Sequence, residues 1–189
     1  SATWLRKCVI SWIKPASFGY LDGIISKYQT AGAYGYYLRL LADAPYTGIG
    51  FDGMQTASGI LTAGEWHHIV GVNDNGTRKL YVNGELQPLT GTPNSIKVNK
   101  DPLRIGVDYS SRFFHGEVDE ARIWKIALTE EQIRASMHVP LDGSEPGLTC
   151  YFQFNEEEGA HTYDFISGLI GDLHHMENHD RVKSTIPFG

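Results

Sequence analysis

The chain lacks the features of two large classes of protein. No apolar run approaches the roughly 18 residues that a membrane-spanning helix requires, so we expect no transmembrane segment. Basic residues are too few for a surface that binds nucleic acid, because 16 Lys and Arg stand against 22 Asp and Glu and the net charge is −6. We therefore expect neither a bilayer nor a nucleic acid as the partner.

Cysteine is scarce as well. The chain has only Cys8 and Cys150, with no Cys-x-x-Cys pair and no spacing typical of a zinc site. Both residues lie in apolar stretches, which is typical of buried thiols. A single long-range disulfide is equally compatible with the sequence, because the sequence does not reveal the distance between the two Cα atoms.

Turn-forming residues, by contrast, are abundant, with 21 Gly and 8 Pro. They separate short strand-like runs at intervals of about 8–14 residues, which is typical of an all-β sandwich or barrel. The clearest turn is Asn83-Gly84, because this pair tolerates the positive φ angles of the type I′ turn that joins antiparallel strands. We therefore predict a hairpin of Lys79–Val82 and Glu85–Gln87 within a two-sheet antiparallel β-sandwich.

One short helix is predicted among the strands. Thr129 and Gln132 have the spacing of a capping box, in which each side chain accepts a hydrogen bond from the backbone of the other residue. Ile133 and Met137 are four residues apart and form one apolar stripe. These signals predict a helix over residues 130–137.

Three tryptophans lie in apolar, strand-like stretches. They are Trp12, Trp66 and Trp124. Large aromatic side chains contribute strongly to the stability of a core. We therefore predict that all three are mostly buried.

Six segments, in order along nearly the whole chain, form a further pattern. They are Val9–Pro15 (VISWIKP), Gly64–Val70 (GEWHHIV), Lys79–Gly84 (KLYVNG), Phe114–Arg134 (FHGEVDEARIWKIALTEEQIR), Gly147–Gly159 (GLTCYFQFNEEEG) and Tyr163–Gly168 (YDFISG). Together they resemble the bacterial laminin-G-like (LamG-like) jelly-roll domain of the concanavalin A-like lectin/glucanase superfamily. The resemblance implies a single jelly-roll domain over residues 1–189. The family's usual first strand is missing, so we expect the chain to be part of a larger protein with other domains. The alternative is that the tail of the chain or a neighbouring molecule fills the edge of the sheet.

A catalytic role depends on one strand. Jelly-roll glucanases carry a Glu-x-Asp-x-x-Glu trio for retaining hydrolysis, whereas this chain has Glu117 and Asp119 but Arg122 in the third position. Strict alternation along a strand places Glu120 on the other face. If Gly116–Trp124 is instead a structural strand of the family, Asp119 and Glu120 mark a β-bulge or a buried charge pair with Arg122. We therefore expect no catalytic residues, with a glycan-active hydrolase or lyase as the alternative.

A loop between two predicted strands, residues 107–113, is the candidate binding site. Sugars bind by stacking a C–H face on an aromatic ring and by paired hydrogen bonds from carboxylates or guanidinium groups to neighbouring hydroxyls. The predicted ligand-binding residues are Asp108, Tyr109, Arg112 and Phe113, with Tyr36 and Tyr46 on the same rim. The alternative is an ordinary polar turn whose aromatic side chains are packed down.

The resemblance also implies a metal, because related jelly rolls often hold one calcium ion between loops. Calcium takes carboxylate and backbone oxygens as ligands. Asp164 is the predicted ligand, with help from Asp22 or Asp172. The alternative is that these are plain surface carboxylates, because the chain contains no linear calcium-loop pattern.

These observations favour a non-catalytic binding module of a secreted or cell-surface protein. A carbohydrate, as a glycan or cell-surface polysaccharide, is the expected ligand. Besides the enzyme alternative, a structural or adhesive module that contacts protein is the third possibility.

Overall fold

The computed structural model describes residues 6–29, 34–41, 48–109, 111–176 and 178–188. Strands account for 44% of the described residues and helix for 6%, which confirms the predicted all-β class. The elements in chain order are β1 (Arg6–Pro15), β2 (Gly23–Gln29), β3 (Tyr34–Leu41), β4 (Gly48–Phe51), β5 (Met54–Gln55), β6 (His67–Asp74), β7 (Thr77–Val82), β8 (Glu85–Leu86), β9 (Thr90–Gly91), β10 (Arg104–Ile105), β11 (Val107–Asp108), β12 (Arg112–Phe113), β13 (Gly116–Trp124), α1 (Glu130–Met137), β14 (Leu148–Phe152), β15 (His161–Tyr163) and β16 (Ile170–Asp172), followed by a 3-10 turn at Asn178–Asp180.

Most strands belong to two antiparallel sheets that pack face to face. In the described part of the chain, sheet A has the order β14-β13-β1-β6-β7-β8, and sheet B has the order β10-β2-β3-β4-β5-β9. The strands β11 and β12 form a small ribbon, and β15 and β16 form another. The main core fills the space between sheets A and B, as in other β-sandwiches.

Sheet A is buried on both faces. On β1, Val9 and Ile13 point into the core between the sheets, whereas Cys8 and Ile10 belong to a second apolar cluster on the opposite face. A strand that is buried on both faces has an almost continuous run of apolar residues in its sequence. This explains why the sequence of β1 does not alternate between apolar and polar residues.

Helix α1 covers the outer face of sheet A. The capping box at Thr129 is present and the helix spans the predicted residues. Ile133 is fully buried in the outer apolar cluster. The indole nitrogen of Trp12 donates to the carbonyl of Met137 at 3.1 Å, and Arg134 Nε donates to the carbonyl of Gly84 at 2.9 Å. The helix is therefore attached to both the centre and the edge of the sheet.

The predicted hairpin is confirmed. Asn83 and Gly84 have φ angles of 52° and 80°, as a type I′ turn requires. Val82 pairs with Glu85 across this turn. Of the three tryptophans, Trp12 and Trp124 are buried as predicted.

Trp66 and the two cysteines differ in their environments. Trp66 is half-buried, and its indole nitrogen donates to Thr185 Oγ1 at 2.9 Å.

Cys8 and Cys150 are free thiols. They lie on β1 and β14, on either side of β13. Two strand spacings amount to about 10 Å, which exceeds the roughly 7 Å between Cα atoms that a disulfide can bridge.

Candidate functional site

The loop predicted to bind ligand is anchored by a buried carboxylate. Asp108 has no exposed surface, and its Oδ2 lies 3.1 Å from Arg39 Nη1 and 3.6 Å from Arg112 Nη1. Arg39 comes from β3 of sheet B. A carboxylate removed from water is stabilised when a guanidinium group pairs with it. Asp108 therefore holds the loop to the sheet from inside.

The loop backbone lies directly against β2. A Cβ at Gly23 would lie 2.0 Å from the backbone nitrogen of Asp108, so no other residue fits at position 23 without moving the loop. Gly106 N–H donates to the carbonyl of Ile24 at 2.9 Å. The hydroxyl of Ser26 donates to the carbonyl of Val107 at 3.2 Å. The loop is thus fixed by backbone contacts as well as by charge.

Three side chains on this loop remain accessible. Tyr109 is 44% exposed and Phe113 is 46% exposed, and the Arg112 side chain is about one-third exposed. Tyr109 has a φ of 61°, in the left-handed region that tight turns use. The ring of Phe113 meets His175 edge to face, with centroids 6.1 Å apart. The loop therefore carries two aromatic rings and one guanidinium group at the surface.

Tyr36, another predicted ligand-binding residue, lies away from the loop. Tyr36 is 4% exposed and belongs to the core between the sheets, where Lys7 Nζ sits 3.6 Å from its ring centroid. Tyr46 lies outside the described residues. The structure therefore brings together Asp108, Tyr109, Arg112 and Phe113, but it does not place Tyr36 beside them.

Sequence reasoning missed Arg39, the main partner of Asp108. The two residues are 69 positions apart and meet only because the loop folds back over sheet B. A signal was present, because Arg39 is the only charged residue in the β3 sequence YGYYLRLL. A lone charge in an apolar strand needs a partner of opposite sign.

The predicted calcium ligand Asp164 is already saturated by hydrogen-bond donors. It is 2% exposed, and its Oδ1 accepts from the N–H of Tyr151 at 2.7 Å and of Ile166 at 3.2 Å. Its Oδ2 accepts from the N–H and hydroxyl of Ser167. These donors do not fit a cation, which needs free oxygen lone pairs.

The two helper carboxylates also have their own partners. Asp22 is buried and accepts from the N–H of Gly19 at 2.9 Å. Asp172 is exposed and lies 3.0 Å from His161 Nδ1. Among the described residues, no group of three or more His, Cys, Asp and Glu side chains is arranged to hold a metal ion. The calcium site stays a prediction.

The carboxylates of β13 do not form a strictly alternating set. The pairing of β1 with β13 shifts between Ile10 and Trp12, and Glu120 has a φ of 52°. Ser11 therefore faces two residues of β13, which defines a β-bulge. Val118 packs against the core between the sheets, so its neighbour Asp119 faces outwards. The bulge turns Glu120 to this same outer face, where it is bonded to Arg122 and Tyr151. This corrects the expectation that Glu120 points to the opposite face, and it confirms the alternative of a bulge with an Arg122 pair.

Each of these carboxylates is committed to a different neighbour. Glu117 Oε1 lies 2.9 Å from Lys14 Nζ. Asp119 is buried and accepts from the N–H of Glu120 at 2.7 Å. Burial raises the pKa of Asp119 to about 6, although hydrogen bonds from Ser184 and from Glu120 lower it. Each of the three carboxylates therefore has a protein group as its partner.

The two packed antiparallel sheets are consistent with a β-sandwich of the concanavalin A-like type. A family model for laminin G domains, described as the concanavalin A-like lectin/glucanases superfamily, matches residues 7–134. The chain belongs to this family. This confirms the resemblance seen in the sequence.

Solved structures share the fold. A candidate carbohydrate-binding protein from Bacteroides ovatus is 24% identical, with a TM-score of 0.68, over 90% of this chain and 54% of its own. Domain 4 of AbnA, an extracellular GH43 arabinanase from Geobacillus stearothermophilus, was solved with arabinotriose. It is 23% identical, with a TM-score of 0.50, over 69% of this chain and 66% of its own. A heptameric SAP-like pentraxin from Limulus polyphemus is 14% identical, with a TM-score of 0.55, over 90% of this chain and 84% of its own.

The chain thus spans about half the length of the Bacteroides ovatus protein. No curated protein matches the chain. Within the described residues, no helix has the length and apolar character needed to cross a membrane.

Proposed function

We propose that the chain is a non-catalytic carbohydrate-binding module of a secreted or cell-surface protein. The fold supports this role, because structural neighbours include a candidate carbohydrate-binding protein and an arabinanase domain solved with arabinotriose. The Bacteroides ovatus protein is longer than the matched region, which supports a module that works beside other domains.

The observation that carries the proposal is the anchored loop. Asp108 is withdrawn into ion pairs, and Tyr109 and Phe113 remain about half exposed on a backbone that β2 holds in place. Exposed aromatic rings on a fixed loop are costly to leave in water and are typical of recognition surfaces. A ligand therefore meets a rigid aromatic surface with little ordering of the loop.

The chemistry of the surface suits a sugar. The ring of Tyr109 provides a flat face for the C–H side of a sugar ring. Arg112 provides a planar fork for neighbouring hydroxyls or for a carboxylate. Asp108 acts as the positioning residue, because its carboxylate has no exposed surface.

The hydrolase alternative receives less support. Glu117, Asp119 and Glu120 each bond to a protein group, and Glu120 lies buried beneath Tyr151 and Arg122. We expect no release of reducing ends from β-glucans. Hydrolysis that disappears in Glu117→Gln would replace the proposal with the glycosidase alternative.

A glycan array followed by calorimetry tests the proposal. We expect the wild-type chain to bind at least one glycan and Tyr109→Ala to bind it about tenfold more weakly. Because Tyr109 is 44% exposed and belongs to neither apolar cluster, the unfolding free energy should change by less than about 0.5 kcal/mol. Leu86→Ala is the matched control, since Leu86 is 51% exposed on β8, at the far edge of sheet A. An array without binding, or equal losses in both variants, would contradict the proposal.

A further inference from the structure

A second surface groove lies away from the anchored loop. It lies between the end of β14 and the β15–β16 ribbon, and its cavity volume is about 280 Å³. The lining residues are Gln153, Asn155, Glu156, Tyr163 and Phe165. None of the sequence motifs assigned a ligand to these residues.

Two aromatic side chains in the groove are exposed although their backbone is firmly held. Tyr163 is 51% exposed and Phe165 is 52% exposed. They flank the buried Asp164, so alternation along the extended chain places both on the same side. Adjacent exposed rings that could have been buried mark a contact surface.

Protein contacts hold the backbone of both residues and the ring of Phe165. Phe165 N–H donates to the carbonyl of Tyr151 at 2.8 Å, and its ring meets the ring of Tyr151 edge to face. Tyr163 N–H donates to Glu156 Oε1 at 3.0 Å. The hydroxyl of Thr162 donates to the same carboxylate. Binding therefore requires little ordering of the protein, which favours affinity.

The polar lining shows what class of ligand the groove suits. The side-chain amides of Gln153 and Asn155 carry donors and an acceptor, which match hydroxyl groups, and the amide of Gln153 also hydrogen-bonds to Tyr151. Glu156 adds a carboxylate, and neither Lys nor Arg lines the groove. An anionic ligand would meet this carboxylate without a cation to balance it.

We infer that this groove is a second saccharide site and that it takes a neutral sugar chain. The anchored loop, with Arg112, differs because it also accepts acidic sugars. The second site has its own lining residues, so the inference stands or falls separately from the proposed function of the loop.

Backbone amide shifts in ¹H–¹⁵N NMR spectra test the inference on the wild-type chain. The probes are arabinotriose, cellotriose and maltotriose as neutral sugars, and trigalacturonate as the acidic one, each titrated to about 10 mM because single sites of this size bind weakly. We expect at least one neutral probe to shift the amides of Asn155, Tyr163 and Phe165. Trigalacturonate should leave these amides in place. If no neutral probe shifts them, or if only trigalacturonate does, the inference is wrong.

Variants separate the two sites. Tyr163→Ala should lower the apparent affinity measured from the groove amide shifts about tenfold, because it removes one aromatic ring on which a sugar can stack. Leu169→Ala is the matched control, since Leu169 is 69% exposed near the same ribbon but does not line the groove. Tyr109→Ala should leave the groove shifts unchanged. If Leu169→Ala or Tyr109→Ala abolishes them as strongly as Tyr163→Ala does, the groove is not an independent site.

Discussion

The outer face of each sheet carries a buried carboxylate paired with arginine, but the two pairs have different structural consequences. On sheet A, Glu120 pairs with Arg122, which is 1% exposed. Arg122 also donates to the carbonyls of Ser136 and Val139, at the end of α1 and just beyond it. Arginine thereby satisfies carbonyls that a helix terminus leaves without partners. This pair closes the face with a helix.

On sheet B, the pair holds a loop and leaves its tip open. Asp108 is as buried as Glu120, but its partners Arg39 and Arg112 are 15% and 31% exposed in their side chains. What differs is the element above the pair, which is an amphipathic helix in one case and a short turn with polar and aromatic residues in the other. The comparison teaches that buried charge specifies where an element docks, whereas the docked element decides whether the face is closed or available for binding.

The largest expected effect is at the closed face. Arg122→Ala leaves Glu120 buried without its cation, so we expect the unfolding free energy to fall by about 3–5 kcal/mol. Urea denaturation followed by tryptophan fluorescence measures the change. Arg134→Ala is the matched control, because Arg134 lies on the helix to which Arg122 donates but pairs with Glu130 at an exposed site. Its cost should stay near 1 kcal/mol. Equal costs in the two variants would show that burial of the pair does not matter.

Removing the pair on the outer face of sheet B should lower the overall stability less than at sheet A, but should disorder the loop more. Asp108→Asn removes the charge that holds Arg39 and Arg112, and we expect a loss of about 1–3 kcal/mol. Freed from its anchor, the loop should be cleaved by trypsin at Arg112 faster than in the wild-type protein. Asp172→Asn, which alters an exposed pair with His161, should change neither quantity. Unchanged cleavage in Asp108→Asn would refute the anchoring role.

The pH dependence of stability probes the closed face again, with a smaller effect. The pKa of Asp119 is raised to about 6 from an ordinary 3.8, so the folded protein binds more protons than the unfolded chain between these values. The unfolding free energy contributed by this group therefore falls as pH rises from about 4 to about 6. Melting temperatures across that range should decline less steeply in Asp119→Asn than in the wild-type protein. Asp142, whose pKa is lowered by hydrogen bonds from Ser144, should contribute with the opposite sign. An identical slope in Asp119→Asn and wild type would contradict the assignment.

The smallest effect concerns Asp164, another buried carboxylate, which forms no ion pair with an arginine in the described part of the chain. Asp164 is bonded to N–H groups of Tyr151, Ile166 and Ser167, so it needs no cation. If the Asp164 carboxylate serves only these N–H groups, a chelator will leave the melting temperature unchanged, which would contradict the calcium prediction, whereas Asp164→Asn will lower it. A lower melting temperature in chelator, restored by calcium, would support the metal expected from the family resemblance, because an ion bound only by the folded state stabilises it.

Part of the site was predictable from the sequence and part was not. The stretch from Asp108 to Phe113 was recognisable because aromatic, acidic and basic residues gather in one short turn. The inward orientation of Asp108 could not be predicted from the sequence, because it depends on Arg39 in a strand far away along the chain. The rings of Tyr163 and Phe165 escaped notice because exposure depends on what packs against a segment, and nothing local reports it.

What the sequence determined by itself is the set of local structures. The Asn83-Gly84 turn, the capping box at Thr129 and the spacing of the strands arise from interactions within a few residues, so each can be predicted from its own segment. Only the tertiary structure decided the bulge at Glu120, the anchor at Asp108 and the groove at Phe165. Each of these depends on groups far apart in the chain that meet only when the sheets pack, and whether a charge or a ring is buried is a property of that packing rather than of the residue.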